Sequence, residues 1–342
     1  MIAPETRKQL LTIQTVFKNN NINVSFKGVQ NTPFIKKIEI IIKMLDFKNI
    51  NKIKLIIKSL ETLLNTSINY FFNDDILIIE LKQKTKNIYY FESYFKNDES
   101  IKNKNYLFFG LDQELKPVLK KIDDIKSLLI AGSSGSGKSN LLHNLILSYL
   151  LLNDLNYLFL IDPKYTELNF YNKTVLKNRL VINPAHEKKD VETVLNMFIN
   201  LIKKRFQAMQ KQKQQTTAEP PALLVIDEYA ALFNTTKEKN KINNKIQYIT
   251  SIGRAARCYC ILTTQHPTNQ NINNTIRSNL QTRIALHCES IQQSKNIIDT
   301  TEAIKLQPPG ELILKLDDGS KQNLKACFIS NDLIKNILKA SN

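Results

Sequence analysis

The chain has 342 residues and 42% apolar content, which excludes a disordered chain and makes two domains the natural expectation. Lys and Arg number 48 against 31 Asp and Glu; the resulting +17 favours a polyanionic partner, although a composition rich in Lys, Asn and Ile would give it equally well. Four cysteines without a CxxC pair or a metal-ligand spacing exclude a disulfide scaffold and suit reduced core thiols in a cytoplasmic protein.

The opening MIAPETRKQL has no apolar core of the kind a signal peptide carries. Residues 7–19 read as a short helix and 34–43 as a strand. Residues 51–65 place Ile53, Ile56, Ile57, Leu60, Leu63 and Leu64 on one helical face, and 75–82 read as a second strand. A small α+β domain is therefore expected over residues 1–100, with the polar FKNDESIKNKN (95–105) as linker. Beyond it, strands are expected at 127–131, 157–161, 179–182, 223–226, 258–264, 282–288 and 311–316. Helices fit at 138–152, 188–213, 241–257 and 291–297. This alternation predicts an α/β domain over 106–342, with a mainly parallel sheet flanked by helices. The longest apolar region, 141–161, is broken by His143, Asn144, Asn153, Asp154 and Asn156, so no membrane insertion is expected. The basic LIKKRFQAMQKQK (201–213) reads as the outer face of a helix.

Three of the chain's eight glycines fall within six positions. Residues 132–139 read Gly132, Ser133, Ser134, Gly135, Ser136, Gly137, Lys138, Ser139, a full GxxxxGK[ST] between an apolar strand and a helix. Such a loop aims backbone N–H groups at phosphate oxygens, and the helix N-terminus adds its positive dipole end. Lys138 is expected to reach the β and γ phosphates of ATP, and the Ser139 hydroxyl to ligate Mg²⁺.

ALLVIDEYAAL (222–232) ends an apolar strand in Asp227 and Glu228. Asp227 suits the Mg²⁺ shell and Glu228 the alignment of an attacking water, a Walker B pairing. In SIGRAARCYCILTTQHP (251–267), Gln265 stands at a strand tip where an amide could bridge γ-phosphate and water. Arg254 and Arg257 precede that strand. They read either as arginines supplied to a neighbouring subunit's site or as solvent-facing caps of a helix C-terminus.

At this point the sequence resembles the motor region of the FtsK/SpoIIIE DNA translocases, in the HerA–FtsK branch of P-loop ATPases. The residues that carry the resemblance are LLIAGSSGSGKSNLLHNLILS, LIDPKYTEL (160–168), VIDEYAAL (225–232), GRAARCYCILTTQHP (253–267), IRSNLQTRIAL (276–286) and PPGELIL (308–314). They cover about residues 105–330. The N-terminal segment, ending in KTKNIYYFESYF (84–95), looks like the family's α subdomain, and 106–330 like its RecA-like β subdomain. The resemblance implies an ATPase that pumps double-stranded DNA through a ring, usually a homo-hexamer, without reading sequence. It implies that Arg254 is the arginine finger acting in trans and Gln265 the sensor, with Arg283 a weaker interface candidate. Neither a membrane-spanning region nor a winged-helix γ domain is expected. A compact motor of a mobile element or virus, used in conjugative coupling or genome packaging, is the alternative, and a protein-remodelling ATPase a more distant one. A recruiting protein is expected but not identified by the sequence. For the DNA grip, NTTKEKNKINNK (234–245) and TNQNINNTIRSN (268–279) read either as pore-lining segments or as ordinary solvated loops.

Overall fold

The computed structural model describes residues 3–32, 35–42, 50–74, 76–83, 87–95, 105–152, 156–171, 179–268 and 271–340. The polar stretch 96–104 falls outside them. The chain divides into two compact units, Met1–Asn87 with Gln113–Leu115, and Ile88–Asp112 with Lys116–Asn342.

The first unit contains α1 (Pro4–Asn19), β1 (Val24–Asn31), β2 (Ile35–Ile42), α2 (Ile50–Leu64), β3 (Ile68–Asn73) and β4 (Ile76–Lys82). Its sheet is antiparallel in the order β1-β2-β4-β3. Ile13 and Phe17 of α1 and Ile53, Ile56, Ile57 and Leu60 of α2 bury one sheet face, against Ile38, Ile40, Leu77 and Ile79. The β-α-β reading thus found the two central strands and missed both edges. VSFKGVQN is exposed or half-buried throughout and INYFFN is buried only at Ile68, so neither has the apolar run that marks a central strand.

The second unit begins with α3 (Phe91–Tyr94), the hairpin β5 (Tyr106–Leu111) and β6 (Pro117–Lys121), α4 (Ile122–Ile125), β7 (Leu128–Ala131), α5 (Lys138–Leu152), β8 (Asn156–Ile161) and β9 (Arg179–Ala185). It continues with α6 (Lys188–Gln212), β10 (Ala222–Ile226), α7 (Thr236–Ile252), β11 (Cys258–Thr264), α8 (Asn274–Asn279), β12 (Thr282–Leu286), α9 (Ile291–Ile298), β13 (Glu311–Lys315), β14 (Lys321–Lys325) and α10 (Asn331–Ala340). These strands form one sheet in the order β6-β5-β14-β13-β12-β7-β11-β10-β8-β9. The run from β12 to β9 is parallel, and β13, β14, β5 and β6 continue it antiparallel. The expected mainly parallel sheet flanked by helices is therefore present, and its antiparallel extension joins β13, expected at 311–316, to β14, β5 and β6, which alternation did not signal.

Strands β7, β10 and β11 are buried on both faces, which is why they read as apolar runs, unbroken in β7 and β10 and as far as Leu262 in β11. On one face Leu129, Leu224, Ile226, Cys260 and Leu262 pack with Leu195 and Phe198 of α6 and Ile246 and Ile249 of α7. Helix α5 is buried almost all round, and its polar residues are consumed by the fold. Asn144 Nδ2 donates to the Cys327 carbonyl at 2.8 Å, and Asn140 Oδ1 accepts the Ile329 N–H at 2.7 Å. Ser148 Oγ accepts the Phe108 N–H at 2.9 Å, and His143 Nδ1 meets the Tyr171 hydroxyl at 2.9 Å. Among the described residues, no helix is long and apolar enough to cross a membrane.

Helix α6 corrects one expectation. Arg205, read as part of an outer basic face, is buried. Its guanidinium donates to the carbonyls of Ala256 at 2.8 Å, Arg257 at 3.2 Å and Pro220 at 2.6 Å, and lies 5.5 Å from the Tyr157 ring centre. It ties α6 to the turn that enters β11. Replacing it leaves three carbonyls without that donor. Arg205→Met is therefore expected to lower unfolding stability by about 3 kcal/mol, against about 0.5 kcal/mol or less for the exposed Lys204→Met, read from urea midpoints.

His143 generates a pH-dependent expectation. Burial depresses its pKa from 6.5 to about 4. The unfolded chain takes up this proton before the folded one does, so the stability it contributes is complete above pH 6.5 and is lost as the pH falls toward 4. The limit is about 3 kcal/mol. His143→Gln should flatten the acid side of a stability profile measured by urea unfolding over this range.

Candidate active site

The site lies at the C-terminal ends of four adjacent parallel strands. Ile161 of β8 pairs with Ile226 of β10, Ile226 with Leu262 of β11, and Thr264 of β11 with Ala131 of β7. The chain therefore leaves the sheet along one edge at Asp162, Asp227, Gln265 and Gly132. A ligand crevice at such an edge is the general property of open parallel sheets.

From β7 the chain turns through Gly132–Gly137 into α5. Gly135 and Gly137 take φ of +71° and +97°, the left-handed region that favours glycine. A Cβ on Gly137 would stand 2.6 Å from the Gly310 nitrogen, so the loop is braced by the turn that opens β13. The Gly310 N–H donates to the Ser136 carbonyl at 2.7 Å. Ser133 donates to the His287 carbonyl from its N–H at 2.9 Å and its hydroxyl at 3.0 Å. Ser134 and Gly135 are exposed at the tip. The Ser136 hydroxyl is buried without a partner among the described residues. The result is a backbone concavity at a helix N-terminus, with room at Gly135 and an unused hydroxyl inside.

Opposite the loop, Asp227 and Glu228 are 5% and 4% exposed, so every interaction they make is weakly screened. Asp227 Oδ1 accepts the Thr263 hydroxyl at 2.6 Å. Burial pushes its carboxyl pKa up, against the Thr263 hydrogen bond and the Lys138 charge, with Asp162 and Glu167 adding to the rise. Glu228 takes φ +46°, a strained value for a residue with a side chain. Its N–H donates to Thr263 Oγ1 at 3.0 Å. Its Oε1 accepts the Thr264 hydroxyl and the Gln265 N–H, each at 3.2 Å. Its Oε2 faces Lys138 Nζ at 3.3 Å and Lys164 Nζ at 3.8 Å.

The structure thus brings together Gly132–Ser139, Asp227, Glu228 and the backbone of Gln265. The Ser139 hydroxyl and the Gln265 carboxamide make no hydrogen bond among the described residues. The arginines lie elsewhere. Arg254 precedes the N-terminal end of β11, and a strand of this length puts it about 20 Å from Gln265. It is exposed and unpaired among the described residues. Arg257 is engaged within the chain: it donates to both Asp123 oxygens at 2.9 and 2.8 Å. Burial acts to raise the Asp123 pKa, but the bonds from Arg257 and Tyr259 outweigh it and hold the carboxyl below its ordinary value. Arg283 is likewise internal, donating to the carbonyls of Leu280, Ile297 and Arg277 and to Asp299.

Both segments considered for a DNA grip mix exposed and buried positions where described. Residues 236–245 belong to α7, with Lys241 and Lys245 paired to Glu192 at 2.6 and 3.5 Å. Of 268–279, residues 269–270 lie outside the described set; Ile272 and Ile276 are buried, and Arg277 turns to Asp299 at 3.8 Å. Two residues inside the quoted LIDPKYTEL had been given no role: Asp162, wholly buried beside Asp227, and Lys164. For Asp162 the signal is present in the sequence, since this segment also ends an apolar strand in an aspartate.

The FtsK/SpoIIIE family model matches residues 93–300. The DNA translocase FtsK of Staphylococcus aureus is 31% identical over 263 residues, covering 70% of this chain and 33% of the relative. That of Halalkalibacterium halodurans is 27% identical over 261 residues, covering 69% and 32%. The chain thus spans about a third of the length of the curated relatives it matches. Among solved structures, the conjugation coupling protein TcpA, in a monomer form with ATPγS, aligns with TM-score 0.66 at 18% identity, over 98% of this chain and 100% of that one. The cytoplasmic domain of the Thermomonospora curvata Type VII secretion ATPase EccC aligns with TM-score 0.60 at 17% identity, over 75% and 34%. These two likenesses concern the fold. The matched family region holds the glycine loop, the buried carboxylate pair and Gln265 on one sheet edge, and the chain belongs to the FtsK/SpoIIIE family.

Proposed function

We propose that the protein is an ATP-driven motor that moves double-stranded DNA through a ring of identical chains, a homo-hexamer by family habit. The observation that carries this reading is the buried Glu228 carboxylate held beside Lys138 of the glycine loop, in a chain of this family. The loop N–H groups and the α5 N-terminus receive the triphosphate, and Lys138 neutralises its β and γ phosphates. Glu228 aligns the water whose attack releases ADP and phosphate, and Gln265, whose N–H bonds the Glu228 carboxylate, takes the sensor role by its place in the family motif.

Ser139 and Asp227 fit Mg²⁺. They offer a hydroxyl and a carboxylate, hard oxygen donors of the kind Mg²⁺ takes. This matches an ion held by few protein oxygens plus substrate phosphates, where it would polarise the transferred phosphoryl group. Arg254 is too far from its own loop to serve it, so a catalytic role for it requires a neighbouring chain. The +17 charge supports backbone contacts that ignore base sequence.

Linear duplex DNA at low salt is expected to stimulate ATP turnover. Lys138→Ala should lose nucleotide binding or turnover, and Glu228→Gln should retain ATP while slowing hydrolysis by about 10²- to 10⁴-fold. Turnover indifferent to DNA would favour a protein-remodelling ATPase. Arg254→Ala, inactive alone, should regain part of its activity when mixed with Lys138→Ala subunits, because each then completes a site the other lacks; a coupled ATPase assay over mixing ratios reads this out.

A further inference from the structure

We propose that Lys164 is a positioning residue for Glu228, the cation that keeps its carboxylate in place while Lys138 is engaged with phosphate. The proposal rests on reading the site as an ATPase centre. Glu228 is almost wholly buried, and its Oε1 is held by two neutral donors, the Thr264 hydroxyl and the Gln265 N–H. Both cations fall on the other oxygen, Oε2, with Lys138 at 3.3 Å and Lys164 at 3.8 Å. A phosphate in the glycine loop competes for Lys138, whose single positive charge is then shared between two anions. A buried carboxylate stripped of its cation is costly, and it would follow Lys138 or turn away. Lys164 supplies the second charge from outside the loop, and nothing in the loop's task draws on it.

The turn that delivers Lys164 is built rather than loose. Asp162 Oδ2 accepts the N–H groups of Glu167 and Leu168, each at 2.9 Å, and the Asp162 carbonyl accepts the Tyr165 N–H at 3.0 Å. Tyr165 takes φ +52°, and Asn169 Nδ2 donates to its carbonyl at 2.6 Å. Asp162 itself is wholly buried at the end of β8, so the turn is anchored in the sheet beside β10. The Lys164 side chain remains about half exposed, at 47%, which makes it replaceable without loss of the fold.

The test compares wild type, Lys164→Met and Lys164→Arg by steady-state ATP hydrolysis with duplex DNA, alongside fluorescent-nucleotide binding and urea midpoints. Lys164→Met should lower kcat by about 10²-fold, the scale of a displaced catalytic group, with KM and nucleotide affinity within about 2-fold of wild type. Lys164→Arg should recover most of that loss. A Lys164→Met variant with wild-type kcat, while the wild type turns over ATP, overturns this proposal alone. A tenfold rise in KM and nucleotide Kd without a change in kcat overturns it too, and makes Lys164 a phosphate ligand. A wild-type chain that binds ATP and never hydrolyses it sinks the ATPase reading and this proposal with it.

Discussion

The parallel register of β8, β10, β11 and β7 is the constraint on which the site depends. Ile161, Ile226, Leu262, Thr264 and Ala131 are paired so that four strands release their chains along a common edge. Both faces of these strands are apolar and covered, so a slip of one residue would trade every packed side chain for its neighbour. The core thus sets the spacing of the polar groups. Asp162, Asp227, Glu228 and Gln265 need no further device to meet the glycine loop, because each stands just beyond the end of a strand that the core holds in register.

This explains which parts of the site could be read before the fold was known. The glycine loop and the Asp227–Glu228 pair each follow an uninterrupted apolar strand, and the end of such a strand is the sheet edge. Lys164 carries no comparable mark. Its part depends on β8 lying beside β10 and on a side chain long enough to approach Glu228, which are facts of strand order and reach. The same divide runs through the architecture. Central strands and long helices announce themselves by periodicity, whereas β1, β3, β6 and β14 are partly exposed and give only fragments of a pattern. Arg205 misled for the opposite reason: it sits among lysines on a basic helix, and only the fold reveals the carbonyls of residues 220, 256 and 257 waiting for it.

The positive charge is less free than its total suggests. Lys188, Lys241 and Lys245 pair with Glu238 and Glu192 across α6 and α7, and Arg257, Arg277 and Arg283 are spent on Asp123 and Asp299. Two arginines three residues apart therefore have opposite fates. Arg257 locks the turn before β11 to Asp123, and in doing so fixes the backbone that presents Arg254 outward. Gly253 completes this turn, since a Cβ there would stand 2.3 Å from the Cys258 carbonyl oxygen.

The contact between Gly137 and Gly310 has a mechanical consequence. Two peptide backbones touch there with no side chain between them to yield, and a hydrogen bond from Gly310 to Ser136 joins them. The Ala326 N–H in turn donates to the Gly310 carbonyl at 2.8 Å, and Asn144 of α5 holds the carbonyl of Cys327 next to it. A load applied to the β13–β14 hairpin would consequently bear on the glycine loop through stiff amide planes, over one residue's width, like a lever resting directly on its fulcrum.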